Sequence, residues 1–248
     1  MKVNLSNYRV FLSYIDSITN LFTDIDIRNN ELSQLSSDKS TIVYGNLSSV
    51  FPEPLDLRLV SIKSKLPLLK MFEKSFNGDD SISVSCADNN VKISDTSSEI
   101  TLRQASPEFI NNQYLSIDEI KRKLIIEEDK DEILSFSLSS TILDRINTIS
   151  HNFNSMNLDF NIENKKCGIH LVSSEKTDRA TIINDLDCVT DKKLQITFSV
   201  IPFQTKFDGI IDTKLYYKEI EGKRISIMKL NTNLKGIDTS VYIKGTII

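Results

Sequence analysis

The chain has 248 residues, of which 40% are hydrophobic and 26% charged, ordinary globular usage that can build a core and excludes a disordered or fibrous protein. Thirty Lys and Arg against 34 Asp and Glu leave a net charge of -4 and a pI near 5.4. That excludes a uniformly basic nucleic-acid binder but leaves room for a small basic surface on an acidic body. At about 150 residues per domain the length predicts one large domain or two small ones.

The first predicted element is a helix with Val10, Phe11, Tyr14, Ile15 and Ile18 on one face and Arg9 outside it. Asn7, Arg9 and Asp16 interrupt its apolar character, so it reads as neither a spanning helix nor a signal peptide, and the chain is expected to be soluble and cytoplasmic. Strands are expected at Ile25 and Ile27 and at Thr41–Tyr44, then at Leu57 and Leu59. A second helix is predicted over Ser64–Phe76, with Ser64 as its cap, Pro67 in the first turn, and Leu66, Leu69, Phe72 and Phe76 inward. Lys63, Lys70 and Lys74 then lie together about 120° round the helix from that face, with Glu73 the one acid nearby. The stripe reads either as a solvated lysine face or as a surface for phosphates.

Ile82 and Val84, a turn at Asp88–Asn90, and Val91 and Ile93 predict a hairpin. From Pro107 to Glu132 the periodicity fades, and Glu127–Glu132 holds five acids in six positions, expected to be an exposed connector. Beyond it the earlier pattern returns. At an offset of 77 residues come Leu134, Phe136, Leu143, Ile146, Ile149 and Phe153; at 78 come Phe160, Ile162, Ile169 and Leu171. Arg145 is the cation of this third helix. The remaining elements are a strand at Leu194–Phe198, room for a short helix with Lys206 at Pro202–Asp208, and strands at Lys214–Lys218, Arg224–Leu230 and Thr239–Lys244. Strand, helix and further strands are thus expected four times, an α+β chain of two similar domains, 1–110 and 133–248, joined by 111–132.

Catalytic signatures are missing. Cys86, Cys167 and Cys188 are widely spaced and read as plain thiols; no glycine-rich phosphate loop or nucleophile elbow occurs. His151 at a helix end and His170 in a strand have structural explanations, and Asp79-Asp80 beside Gly78 reads as turn chemistry. Neither a metal nor a cofactor is expected, and the chain is not expected to be an enzyme. Cations on helices, without interleaved aromatics or a base-reading motif, suggest weak, salt-sensitive contact with a nucleic-acid backbone.

Together these features resemble the DNA polymerase sliding clamps, nearest the short two-domain type of T-even-like phages and more distantly the proliferating cell nuclear antigens. The resemblance is carried by NLSSVFPEPLDLRLVSIKSKLPLLKMF, DDSISVSCADNNVKISDTSSEITL and LQITFSVIPFQTKFDGIIDTKLYYKE. The acidic connector and Asp187–Lys193, a small insertion, depart from the phage pattern. The resemblance implies the clamp fold, inner helices backed by an outer antiparallel sheet, in a homotrimeric ring around double-stranded DNA. It further implies DNA-facing roles for Arg9, Lys63, Lys70, Lys74, Arg145 and Lys206. Subunits would join through edge strands at Ser98–Arg103 and Arg179–Asn184, with Ile100, Leu102 and Ile182 at the contact. A polymerase and an ATP-driven clamp loader are the implied partners, with Ile125 and Ile126 lining a pocket for a partner peptide between the domains. The competing readings are a viral β-rich interaction or structural protein with no ring or DNA role, and a hydrolase or transferase whose site is scattered along the chain.

Overall fold

The computed structural model describes residues 1–76, 81–87, 89–110, 113–152, 156–173, 175, 177–200, 203, 207 and 209–248. They form two compact units: Met1–Ser116 with Asn233–Thr239, and Ile117–Thr232 with Ser240–Ile248.

The first unit begins with β1 (Lys2–Asn4), α1 (Leu5–Ile18), β2 (Ile25–Arg28), β3 (Glu31–Leu35) and β4 (Thr41–Asn46). The same order of strand, helix and three strands follows in β5 (Leu57–Leu59), α2 (Ile62–Glu73), β6 (Ser81–Ala87), β7 (Asn90–Ser94) and β8 (Glu99–Arg103), and β9 (Gln113–Tyr114) closes the unit. All pairings are antiparallel. The leading strands are exchanged: β1 pairs with β6 and β5 with β2, giving sheets ordered β1-β6-β7-β8 and β5-β2-β3-β4. Neither half completes a sheet without the other.

Helix α1 starts where the Asn4 carboxamide oxygen accepts from the Ser6 amide at 2.8 Å. Its buried face is Tyr8, Phe11, Leu12, Tyr14, Ile15 and Ile18. Val10, expected on that face, is half-buried, and the deeper positions are Tyr8 and Leu12. Helix α2 departs further from expectation. It begins at Ile62, after Ser61 at φ 53°, so Ser64 is not its cap and Pro67 lies in the helix interior. The starting amides are satisfied from another element: Ser61 N–H donates to an Asp24 carboxylate oxygen at 2.9 Å and Ile62 N–H to the Thr23 carbonyl at 2.8 Å. The Ser64 hydroxyl instead donates to the Ser61 carbonyl. Ile62, Leu66 and Leu69 are buried; Phe72 is half-buried and Phe76 is buried beyond the helix end.

The second unit contains α3 (Ile117–Leu124), α4 (Glu128–Asp131), β10 (Glu132–Leu138), α5 (Ser140–Asn152), β11 (Met156–Glu163), β12 (Lys166–Ser173) and β13 (Arg179–Asp187). It continues with β14 (Leu194–Ser199), β15 (Ile211–Ile220), β16 (Lys223–Leu234) and β17 (Ile237–Ile247), the start of β17 lying in the first unit. The exchange recurs, with β10 on β15 and β14 on β11. Sheet orders are β13-β12-β11-β14-β17 and β10-β15-β16-β17. Leu143 and Ile146 of α5 are buried, and the Phe160 and Phe198 rings meet edge to face at 5.4 Å. Gly245 lets β17 pass this cluster: a Cβ there would stand 2.7 Å from the Phe198 ring. The short helix expected at Pro202–Asp208 lies outside the described residues, except Phe203 and Phe207, which are buried.

The stretch expected to be an exposed connector carries two helices, and Glu127–Lys130 of its acidic run are exposed. Leu115 is fully buried; its N–H donates to the Ser33 carbonyl, and the Ser33 hydroxyl donates to the Leu115 carbonyl. Helix α3 buries Ile120 and Leu124. The acidic run forms α4 and is tied down by lysines: Glu127 and Asp131 pair with Lys218, Glu128 with Lys229, and Glu132 with Lys214.

Candidate nucleic-acid interface

The basic stripe is positioned by α2. Its buried residues turn Lys63 and Lys74 to the exposed side, with Lys70 beside them and Pro67, Leu68 and Met71 adjoining. Lys70 stands in the last turn of the helix and Lys74 caps it, where the helix dipole favours positive charge. Helix α1 runs alongside, and two ion pairs cross between the helices. Arg9 Nε lies 2.5 Å from Glu73 Oε1, and Lys70 Nζ lies 3.0 Å from Asp16 Oδ2. Of the four candidate cations here, Arg9 and Lys70 are therefore partly neutralised, while Lys63 and Lys74 form no ion pair among the described residues.

Each described helix of the repeat carries at least one cation, as expected, but the acids beside them differ. Helix α1 holds Arg9 against Asp16, and α5 holds Arg145 against Asp144. Helix α2 holds Lys63, Lys65 and Lys70 against Glu73, with Lys74 as its cap, so among α1, α2 and α5 the positive excess is concentrated there. Lys65 points elsewhere: burial lowers its pKa, with Asp24 opposing. On α5, Arg145 donates to the Thr181 carbonyl of β13 at 3.5 Å. Lys206 lies outside the described residues.

The two strands named as candidate subunit edges are edges of their sheets among the described residues. Strand β8 is bonded only to β7, and β13 only to β12. Ile100 and Ile182 are half-buried. Leu102, 9% exposed and registered opposite Val91, belongs to the core of its own unit. The Asp187–Lys193 stretch ends β13 and turns back, Cys188 N–H donating to the Lys165 carbonyl and Val189 N–H to the Ile133 carbonyl.

Ile125 and Ile126 lie at the junction of α3 and α4. Ile125 is 50% exposed and holds φ 57°, a left-handed conformation unusual for a β-branched side chain. Ile126 is half-buried. Helix α3 escaped the sequence reading although signals for it exist: Ser116 and Glu119 have capping-box spacing, and Ile117, Ile120 and Leu124 recur at three and four residues.

The chemistry elsewhere is quiet. All three cysteines are free thiols, and burial pushes the Cys167 thiol up to about 12, far from the thiolate a nucleophile needs. Burial, then Arg179, lowers the His170 pKa against the pull of Asp159. No cluster of three or more His, Cys, Asp or Glu that could hold a metal occurs among the described residues, and no helix there is long and apolar enough to cross a membrane.

No protein-family model matches the sequence, and no curated protein matches it. Solved structures do. Proliferating cell nuclear antigen from Thermococcus kodakaraensis aligns over 99% of both chains with a TM-score of 0.61 at 11% identity. The A. fulgidus protein, solved with the C-terminal region of FEN-1 bound, aligns over 100% of this chain and 98% of its own at TM-score 0.61 and 12% identity. The DNA polymerase sliding clamp of Caulobacter crescentus matches at TM-score 0.58 and 11% identity, this chain covering 65% of its length. The chain has the DNA-clamp fold.

Proposed function

We propose that this chain is a sliding clamp: a non-enzymatic ring subunit that encircles duplex DNA and tethers the replicative polymerase, raising its processivity. The observation that carries the reading is the match of the chain to the clamp fold over its whole length, with the exchange of leading strands present in each unit. Topology then supplies retention and the helices need supply only weak contact, which suits a net charge of -4 with the local excess of cations on α2. Lys63, Lys70 and Lys74, with Arg9, Arg145 and Lys206, are the residues we assign to the DNA side.

The ring is a homotrimer built head to tail, β8 of one subunit pairing with β13 of the next, so that closure satisfies both edges. The domains are 1–110 and 133–248, and the connector between them carries the partner contact at Ile125 and Ile126. The A. fulgidus relative bound to the C-terminal region of FEN-1 is the precedent for a terminal peptide as ligand. A clamp loader opens the ring; the phage type suggested by the sequence pattern would act in the cytoplasm of an infected cell.

Primer extension on a long template, with the cognate polymerase and loader, tests the proposal. Adding the protein lengthens the products of single binding events; unchanged product length overturns the reading.

A further inference from the structure

The α1–α2 pair carries more positive charge than it offers to solvent. Each ion pair joins a cation of one helix to an acid of the other: Arg9 early in α1 with Glu73 at the end of α2, and Asp16 late in α1 with Lys70 in the last turn of α2. The two acids are not equally placed. Glu73 is 13% exposed and turned into the helix pair, whereas Arg9 is 61% exposed; Asp16 and Lys70 are similar, at 36% and 40%.

Ion pairs with a solvent-facing partner contribute little to stability. The helices have better reasons to stay together, since Tyr8 of α1 meets Phe76 edge to face at 6.3 Å and the buried faces of both helices share the core of the unit. What the acids change is the field. Arg9, Lys63, Lys70 and Lys74 set against Asp16 and Glu73 leave half of the cationic charge uncompensated. Each cation that meets a phosphate releases condensed counterions and steepens the salt dependence of binding by about 0.9 in the log–log slope. A face with all four cations free would grip the backbone more tightly and release it more slowly.

We propose that Asp16 and Glu73 are tuning residues that hold Lys70 and Arg9 away from phosphate and so set how weakly the α1–α2 face engages DNA. The proposal rests on the clamp reading and deepens it. The acids touch no DNA themselves; they determine how many cations are available. Lys63 and Lys74, without an ion pair among the described residues, make the standing contact, and the paired cations engage only when their carboxylates let go.

The test compares the full-length protein with D16N, E73Q and the double variant, measuring affinity for a short linear duplex by fluorescence anisotropy across a salt series, alongside primer extension. Neutral isosteres keep the shape and remove the charge. The double variant is expected to bind at least threefold more tightly at low salt, with a log–log slope steeper by about 1–2, converging on wild type at high salt. K63Q with K74Q is expected to move both quantities the other way. Wild-type affinity and slope in the double variant, with polymerase stimulation intact in the parent protein, overturn the tuning role and leave the clamp reading standing. A wild-type protein that neither binds duplex nor lengthens products overturns the clamp reading itself. Loss of assembly or a large drop in melting temperature in both single variants makes the pairs structural and overturns the proposal.

Discussion

At Ile125 a β-branched side chain occupies a backbone conformation that favours glycine, just where α3 ends. Half of its surface faces solvent, so replacing it forfeits little burial. Ile125→Gly should therefore relieve strain and stabilise the second unit by about 1 kcal/mol, raising its melting temperature by about 2–4 °C in calorimetry. Ile125→Ala keeps the left-handed strain and should show no such gain. If Ile125 anchors a partner, the same glycine variant gains stability while losing polymerase stimulation. Nothing local announces this geometry, since a glycine or asparagine at that place would have advertised it and an isoleucine does not. The cations were legible as residue types, but their availability was not, because Arg9 meets Glu73 from 64 positions away.

Among the elements, those with a dominant apolar stripe could be read directly. Leu66 and Leu69 marked α2, Leu143 and Ile146 marked α5, and the alternating Phe160 and Ile162 against Ile169 and Leu171 marked the β11–β12 hairpin. Boundaries failed where distant groups supplied the cap, as Asp24 does for α2. Helix α3 was obscured because Lys121, Arg122 and Lys123 crowd its three apolar positions, and α4 has no apolar residue at all. What holds α4 is a set of charges from β15 and β16, which sequence proximity cannot reveal. The pairs made by Glu127 and Glu128, whose carboxylates are about half exposed, weaken with ionic strength. Hydrogen exchange should accelerate at the Lys130 and Asp131 amides, which donate to the Glu127 carbonyl, as salt is raised from low to molar levels. Lys218→Gln with Lys229→Gln should produce the same acceleration at low salt, with α5 amides unchanged in both cases. Exchange at Lys130 and Asp131 that ignores salt would mean that backbone geometry alone maintains α4.

For the whole molecule, the 77-residue offset pointed to a repeated strand–helix–strands unit, and the repeat is present as β5-α2-β6-β7-β8 and β10-α5-β11-β12-β13. The exchange of leading strands was not legible, since apolar alternation says which face of a strand is buried and not which strand lies beside it. The unpaired edges of β8 and β13 carry the assembly prediction. The protein should sediment at about three times its 28.2 kDa chain mass. Ile100→Lys or Ile182→Lys, at half-buried edge positions, should shift it to monomer with its circular dichroism unchanged. Leu102→Lys should instead unfold the first unit, because that side chain supports its own core. A chain that remains monomeric at all concentrations would leave both edges without their proposed partners.

The leading-strand exchange also dictates an order of events during synthesis. Strand β1 has no place to pair until Ser81–Ser83 have left the ribosome, and β10 waits until Ile211–Tyr216 have emerged. The β2-β3-β4 meander can form meanwhile, but each unit is committed only when its second half arrives. A nascent chain stalled short of residue 81 therefore holds an unpaired leading strand and an uncovered helix face. That exposure makes it a client for chaperones in a way the finished protein is not.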